Sequence, residues 1–312
     1  MEVLRTPDDR FVDLPGYDFA ANYVDDLPDY EGLRVHYLDQ GAKGANRTFL
    51  CLPGEPTWAY LYRRMIPVFS NSGARVVVPD WLGFGRSDKP VDDAVYTFDF
   101  HRNMMLAFIE HLDLRNITLV VQDWGGILGL TLPVDQPNRF SRLIVMNTAI
   151  PVGVSLGDGF RAWKEYVASR PNMDCGALMK RACPHLSDLE AQAYEAPFPD
   201  QRYKAGVRRF PQLVMVEPGM EGIETAKRAR KFWQDEWEGE SFMAIGAKDP
   251  VLGLTVMNQL RKTIRRCPEP IVLEEAGHFL QEWGEPVAQA ALKQFDDVLA
   301  PQNCASIFWQ RE

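Results

Sequence analysis

The stretch that decides the fold is Ile117-Thr118-Leu119-Val120-Val121-Gln122-Asp123-Trp124-Gly125-Gly126-Ile127-Leu128-Gly129. Its first half is a run of β-branched and aliphatic residues, which is typical of a buried strand. Two adjacent glycines then open an apolar segment with helical spacing, so the chain must turn sharply at Asp123. This order of strand, turn and helix predicts a nucleophile elbow, in which the central side chain stands exposed above the sheet.

The residue at this turn is a carboxylate, where the G-x-S-x-G form of the motif has serine. A carboxylate attacks carbon to form an ester, and it needs no base to remove a proton first. Asp123 also suits a plain helix N-cap, because its carboxylate is favourable near a helix N-terminus. We interpret Asp123 as the nucleophile, since the paired glycines follow directly after a strand.

Composition is that of an ordinary globular protein. The chain has 312 residues, with 46% hydrophobic and 25% charged, which is enough for one large domain with an insertion. A net charge of −9 without a basic stripe argues against a nucleic-acid partner. The five cysteines are odd in number and lack C-x-x-C spacing, so we expect a reducing compartment and no metal site.

Membrane and targeting signals are absent from the sequence. No stretch reaches the roughly 18 apolar residues that a membrane span needs, and the first ten residues contain no apolar signal-peptide core. We therefore expect a cytoplasmic protein with no membrane partner. We also expect a monomer that uses no cofactor.

Strand signals alternate with helical ones along most of the chain. This alternation predicts an α/β fold with a mainly parallel sheet covered on both faces. Between residues 151 and 220 the strand signals disappear and apolar positions take helical spacings, which predicts a helical insertion. Residues 1–150 and 221–312 would then form one core domain, ending in a surface tail after Pro301. Strands are predicted at 33–38, 48–52, 75–80, 117–122, 142–147, 241–246 and 270–273, and helices at 60–70 and 98–114.

Three further features follow predicted strands. The loop Pro53-Gly54-Glu55-Pro56 is either a plain turn or a source of backbone N–H donors, while Asp249 and His278 follow the last two strands. Each of these two side chains alone would be a turn or packing residue. However, functional groups gather at the carboxyl ends of parallel strands. The order nucleophile, acid and histidine is that of a hydrolase triad, so we expect Asp123, Asp249 and His278 to converge.

On these residues the chain resembles the haloalkane dehalogenases of the α/β-hydrolase superfamily. The resemblance implies a mostly parallel sheet flanked by helices, with residues 151–220 as an inserted helical cap. Epoxide hydrolases share the elbow and the histidine loop, so discrimination depends on Trp163 and on the loop 54–58. The matching segments span nearly the whole chain: Gly54–Trp58, Asp80–Asp88, Val121–Gly126, Gly159–Lys164, Gly246–Asp249 and Ala276–Phe279.

The resemblance implies a two-step reaction on a small halogenated alkane, with water as the second substrate and an alcohol, a halide ion and a proton as products. Asp123 would displace the halide, which Trp124 and Trp163 would bind through their indole N–H groups, because indole donates without offering a competing acceptor. His278, oriented by Asp249, would then activate water to hydrolyse the alkyl ester.

The resemblance also implies that the backbone N–H groups of Glu55 and Trp124 form the oxyanion hole. Two positions depart from the family pattern: Pro53 stands where relatives carry histidine, and Val121 replaces a glycine before the nucleophile. In other branches the catalytic acid follows an earlier strand. Asn147 occupies that place here and cannot be a charged partner, which favours Asp249 as the acid.

Other functions stay open at this point. An epoxide hydrolase would use the same triad with tyrosines in the insertion, where Tyr166, Tyr194 and Tyr203 lie. A haloacid dehalogenase would need an arginine pair near the elbow, but Arg139 and Arg142 lie too far along the chain. A binding protein that has lost catalysis has little reason to keep a nucleophile, a base and an acid together.

Overall fold

A computed structural model of the protein describes residues 1–296, so the tail predicted after Pro301 lies outside the described residues. The strands are β1 (Val3–Leu4), β2 (Asn22–Val24), β3 (Val35–Gln40), β4 (Thr48–Leu52), β5 (Arg75–Pro79), β6 (Lys89–Pro90), β7 (Ile117–Gln122), β8 (Phe140–Met146), β9 (Glu240–Gly246) and β10 (Ile271–Leu273). The α-helices are α1 (Ile66–Asn71), α2 (Phe98–His111), α3 (Trp124–Gly129), α4 (Asp158–Ala168), α5 (Cys175–Ala182), α6 (Asp188–Glu195), α7 (Ala205–Leu213), α8 (Ile223–Lys231), α9 (Leu254–Thr263) and α10 (Gly284–Gln294).

Eight of the strands form one sheet in the order β10-β9-β8-β7-β4-β5-β3-β2, and β1 pairs with β6 separately. The pairs from β10 to β5 are parallel, whereas β3 and β2 join antiparallel at one edge. Strands β4, β5 and β7 are buried along their whole length, because helices cover both faces of a parallel sheet. The predicted α/β-hydrolase architecture, with its mostly parallel sheet, is confirmed.

Element boundaries differ from prediction in one informative place. The predicted helix 60–70 is a 3-10 turn at Ala59–Tyr62 followed by α1, which begins at Ile66. Pro67 lacks a backbone N–H and therefore fits the first turn of a helix but not its interior. Periodicity alone does not reveal this break, because the apolar positions keep their spacing across it.

The region 151–220 contains four α-helices, α4 to α7, and a 3-10 helix at Gln201–Lys204, and no strand is described within it. Helical structure continues through α8 and a π-helical turn at Phe232–Glu236 before β9 returns the chain to the sheet. Among the described residues, no helix is both long enough and apolar enough to cross a membrane. Because helical structure continues past residue 220, the division of the chain at residues 150 and 220 remains a prediction.

A buried ion cluster joins this helical region to the sheet domain. Arg63 donates from Nη1 to Oε1 of Glu282 at 2.6 Å and from Nη2 to Oε1 of Glu190, on α6, at 3.0 Å. The hydroxyl of Tyr194 also donates to Glu282. Because Glu282 follows His278 by four residues, the cluster fixes α6 against the segment that carries the histidine.

Candidate active site

The strand-to-helix turn after β7 has the geometry of an elbow. Asp123 adopts φ +49° and ψ −125°, a conformation that residues with a Cβ rarely populate. Its carbonyl accepts from Gly126 and Ile127 of α3 at 2.9 Å and from the hydroxyl of Thr148 at 2.7 Å. These bonds hold the strained turn, so the side chain of Asp123 projects from the carboxyl end of the sheet.

The two glycines after Asp123 are required by close packing. A Cβ on Gly125 would lie 2.0 Å from the carbonyl oxygen of Leu52, and one on Gly126 would lie 2.1 Å from the Thr148 hydroxyl. Only a residue without a side chain lets α3 start this close to the end of β4. The Gly-Gly signal in the sequence therefore reflects packing around the turn.

Backbone donors surround the Asp123 carboxylate. The N–H of Glu55 donates to its Oδ2 at 2.9 Å, and the N–H of Trp124 also hydrogen-bonds to this side chain. Burial raises the pKa of Asp123, while the field of His278 and the two N–H groups oppose that shift. The structure thus brings both predicted oxyanion donors to the predicted nucleophile.

The predicted histidine lies between the two predicted carboxylates. His278 Nδ1 is 2.7 Å from Oδ2 of Asp249, and its Nε2 is 3.6 Å from Oδ1 of Asp123. Burial disfavours the imidazolium ion, but the two carboxylates outweigh it and raise the pKa of His278 to about 9. Alkylation of Asp123 would remove one of these negative charges and make the imidazole easier to deprotonate.

Asp249 is held as a carboxylate by several donors. Its Oδ1 accepts from the N–H groups of Val251 at 2.8 Å and Leu252 at 3.0 Å, and its Oδ2 accepts from Asn147 Nδ2 at 2.8 Å. Burial alone would raise its pKa, yet His278 and these hydrogen bonds lower the pKa to about 2. Asn147, which the sequence offered only as an argument by exclusion, therefore supports the acid directly.

A second amide contacts the triad, and sequence reasoning missed it. Gln122, the last residue of β7, is fully buried, and its Nε2 lies 2.9 Å from Nε2 of His278. The same nitrogen donates to the carbonyl oxygen of His278 at 3.1 Å. The two residues are 156 positions apart, so only the topology of the sheet could have related them.

The triad opens into an apolar cavity of about 250 Å³ between the sheet and the helices of 151–220. A larger cleft of about 640 Å³ lies beside Ala149–Gly157 and α9, but no triad residue lines it. The smaller cavity is therefore the candidate active site, because the predicted triad lines it. Its walls include Glu55, Asp123, Trp124, Ile127, Leu156, Phe160, Trp163, Leu178, Pro211, Val214, Leu252, His278 and Phe279.

Both predicted halide-binding indoles line this cavity. Within residues 1–296, neither Nε1 has a hydrogen-bond acceptor, whereas four other indoles in the same range donate to protein oxygens. Trp124 is buried against Phe210, with ring centroids 4.6 Å apart, and Trp163 stacks on Tyr166 at 5.8 Å. Two N–H donors are thus available to a ligand in the cavity.

The tyrosines that an epoxide hydrolase would need are elsewhere. Tyr194 is committed to the buried cluster of Arg63 and Glu282, and Tyr166 stacks behind Trp163. Neither these two nor Tyr203 is among the described residues that line the cavity. The cavity therefore contains the triad that an epoxide hydrolase would use, but none of the three tyrosines that would protonate the epoxide.

Pro53 is compatible with the geometry predicted for the loop at residues 54–58. Its carbonyl oxygen accepts from the indole N–H of Trp81 at 2.7 Å, and a Cβ on Gly54 would lie only 2.6 Å from Cβ of Asp123. The loop therefore approaches Asp123 closely, and the N–H of Glu55 reaches its carboxylate with a proline at position 53.

The Glu55 side chain is a further feature that the sequence did not reveal. It lines the cavity, and its Oε1 is buried without a hydrogen-bond partner among the described residues. Burial, followed by the nearby charge of Asp123, raises the pKa of Glu55 well above its usual range. Both causes therefore favour the uncharged form of Glu55 next to Asp123.

Comparison with known proteins identifies the family of the chain. A family model described as the alpha/beta hydrolase fold matches residues 47–285. A haloalkane dehalogenase from Psychrobacter cryohalolentis is 42% identical over 304 residues, covering 95% of this chain and 99% of the relative. One from Mycolicibacterium paratuberculosis is 39% identical, covering 90% of this chain and 94% of the relative.

A solved structure extends the comparison to three dimensions. The tetrameric haloalkane dehalogenase DpaA from Paraglaciecola agarilytica NO2 superposes with a TM-score of 0.93 at 52% identity, covering 96% of this chain and all of that one. Identity of this order over nearly the full length of both chains identifies more than a shared fold. The chain belongs to the haloalkane dehalogenase family of α/β hydrolases, enzymes that cleave carbon–halogen bonds by hydrolysis.

Proposed function

We propose that hydrolytic dehalogenation by this chain proceeds through an alkyl ester of Asp123. The observation that carries the proposal is the joint presence, in one small apolar cavity, of the Asp123 carboxylate and the two indole N–H groups without acceptors. A displacement at carbon needs a nucleophile on one side and donors where the leaving anion gains charge. Trp124 and Trp163 supply those donors.

In the first step an oxygen of Asp123 bonds to the substrate carbon, and the carbon–halogen bond breaks as the halide leaves with its electron pair. Asp123 needs no base, since it is already a carboxylate. The apolar walls favour an uncharged haloalkane, and a volume of about 250 Å³ favours a small one.

In the second step His278 Nε2 takes a proton from water while the water oxygen bonds to Cγ of Asp123. The backbone N–H groups of Glu55 and Trp124 stabilise the oxyanion. The bond between Cγ and the alkoxy oxygen then breaks, and the departing alkoxide takes the proton from His278 to give the alcohol. Asp123 finally loses a proton to solvent and returns to the carboxylate, while Asp249 keeps the imidazole oriented.

Residues 151–220 serve, in this proposal, as a cap that closes the cavity over the triad. Phe160, Trp163 and Leu178 from this region line the cavity opposite Asp123. The buried cluster of Arg63, Glu190 and Glu282 supports a fixed position of the cap against the sheet.

Release of bromide from a short terminal bromoalkane tests the proposed reaction. The wild-type protein should release bromide and protons in equal amounts, and Asp123→Ala should release neither. An epoxide of similar size is the matched control substrate. Diol formation from the epoxide without bromide release would contradict the proposal. It would indicate that the triad hydrolyses epoxides and that Trp163 is a packing residue.

Oligomeric state and location are further parts of the proposal. The monomer predicted from the sequence corresponds to 35.5 kDa, whereas the relative DpaA is tetrameric. Sedimentation analysis at micromolar concentration distinguishes the two, and a fourfold mass would contradict the monomer. The free thiols of Cys51, Cys175, Cys183 and Cys267 support a reducing, cytoplasmic location, which cell fractionation tests.

A further inference from the structure

The Gln122 amide lies directly behind the imidazole of His278. Its nitrogen is 2.9 Å from His278 Nε2 and 3.1 Å from the His278 carbonyl oxygen, and the side chain is fully buried. A buried amide at this position contacts the one atom that has to receive a proton in the hydrolytic step. Its orientation therefore bears on the chemistry.

The neighbours of Gln122 determine which way the amide faces. A carbonyl oxygen only accepts hydrogen bonds, so the His278 carbonyl requires the amide nitrogen on its side. The amide oxygen then accepts from Gln281 Nε2 at 3.4 Å. One amide hydrogen is left for His278 Nε2, which has to offer its lone pair. The proton of the neutral imidazole is consequently on Nδ1, where Asp249 accepts it at 2.7 Å.

The charged groups around His278 favour its protonated form, whereas the amide of Gln122 favours its neutral form. Asp249 faces Nδ1 from the loop after β9, and Asp123 faces Nε2 from the elbow. Both carboxylates stabilise the imidazolium ion, which cannot accept a proton from water. Glu55 lines the same cavity, but burial raises its pKa and favours its uncharged form. Among the described groups, the amide of Gln122 is the one whose contact with Nε2 is lost when that nitrogen is protonated.

We propose that Gln122 is a positioning residue that keeps the Nε2 lone pair of His278 free for the proton of the hydrolytic water. Once the ester has formed and the charge of Asp123 is gone, the amide favours the neutral imidazole with its lone pair on Nε2, and it then yields that lone pair to water. This inference rests on the proposed role of His278 as the base. It adds a requirement of the second half-reaction, whereas alkylation of Asp123 does not use the imidazole.

The test compares Gln122→Met with wild-type protein in rapid-quench experiments on a bromoalkane. Methionine keeps the length and burial of the side chain but donates no hydrogen bond. The first-turnover burst of bromide should stay within about twofold of wild type. The steady-state rate at pH 7 should fall roughly tenfold, and the acidic midpoint of its pH profile should rise by about one unit, the worth of one hydrogen bond.

Two further variants make the test specific. Gln122→Asn keeps the amide but shortens its reach, so it should behave like Gln122→Met. Gln294→Met removes a comparable donor, whose acceptor is the Ser241 carbonyl near the start of β9, and should leave the pH profile unchanged. An unshifted profile in Gln122→Met, or a lost bromide burst, would overturn the inference.

Failure of the proposed function gives a different pattern. If His278→Phe turns over like wild type, the histidine is not the base, whatever Gln122 does. If His278→Phe stops after one equivalent of bromide while Gln122→Met keeps the wild-type profile, the ester mechanism stands and the role of Gln122 falls.

Discussion

At the residue scale, the site combines two indole N–H groups that have no acceptor with one buried carboxylate. The cavity therefore offers hydrogen-bond donors and a negatively charged group to the same ligand. Four of the seven described indoles donate to protein oxygens, and Trp124 and Trp163, which line the cavity, are among the three that do not. An apolar wall with donors and no acceptor selects an anion. In the proposed reaction that anion is the departing halide.

Removing one indole donor should weaken halide binding. Trp163→Phe keeps an aromatic wall but loses the N–H, and we expect the inhibition constant for bromide to rise by about 10-fold or more, since a hydrogen bond to a charged group is worth roughly 1.5–3 kcal/mol. Trp283→Phe is the matched control, because Trp283 packs on His185 outside the cavity. Equal inhibition constants for Trp163→Phe and wild type would remove Trp163 from the halide site.

The raised pKa of Glu55 makes a prediction about pH. A carboxyl group whose pKa is raised stays uncharged until the pH approaches that pKa, and its ionisation would place a second negative charge near Asp123. Glu55→Gln should therefore keep the alkylation rate at pH 7 within about threefold.

The alkaline side of the profile tests the same point. We expect the single-turnover rate of bromide release by wild-type protein to fall at high pH, and Glu55→Gln to show no such fall. Loss of alkylation in Glu55→Gln at pH 7 would indicate that Glu55 acts as a carboxylate.

At the element scale, the elbow depends on how closely α3 approaches β4. Gly125→Ala would force a Cβ to 2.0 Å from the Leu52 carbonyl oxygen, and neither backbone can move without disturbing the sheet. We expect a loss of about 2–3 kcal/mol in the free energy of unfolding, measured by urea denaturation. Gly44→Ala is the control, because an added Cβ meets nothing within 4 Å there. Equal losses in the two variants would contradict the packing account.

The core strands were predictable because their residues carry local signals. β4 and β7 are mostly apolar runs buried along their whole length, so composition and length identify them. The start of α1 was not predictable from periodicity, because apolar spacing continues across the break before Pro67. Boundaries depend on individual backbone hydrogen bonds, which the spacing of side chains does not encode.

The candidate site divides in the same way. Asp123, Asp249 and His278 could be predicted because each follows a strand, and parallel strands end at one edge. The residues that hydrogen-bond to this triad could not be predicted. Gln122 meets His278 across 156 positions, and Asn147 meets Asp249 across 102. Such pairs arise from the order of strands in the sheet, which sequence spacing does not specify.

At the scale of the whole molecule, the triad couples stability to pH. The folded-state pKa of Asp249 is about 2, below its ordinary value of 3.8, so the charged form favours the folded state. This contribution is complete above pH 4 and is lost as the pH falls toward 2. One such group is worth about 2 kcal/mol.

Chemical denaturation at several pH values measures this coupling. The free energy of unfolding of wild-type protein should fall between pH 4 and pH 2, and Asp249→Asn should show a shallower fall over the same interval. Parallel curves for the two proteins would contradict the assignment of Asp249 as a carboxylate that the fold stabilises.

The most direct test of the account is the mass of His278→Phe after reaction with a bromoalkane. Without the base, the ester on Asp123 should persist, so the protein should gain the mass of one alkyl group and release one equivalent of bromide. Proteolysis should locate the added mass on the peptide that contains Asp123. Continuous bromide release without an adduct, or an adduct on another residue, would contradict the ester mechanism.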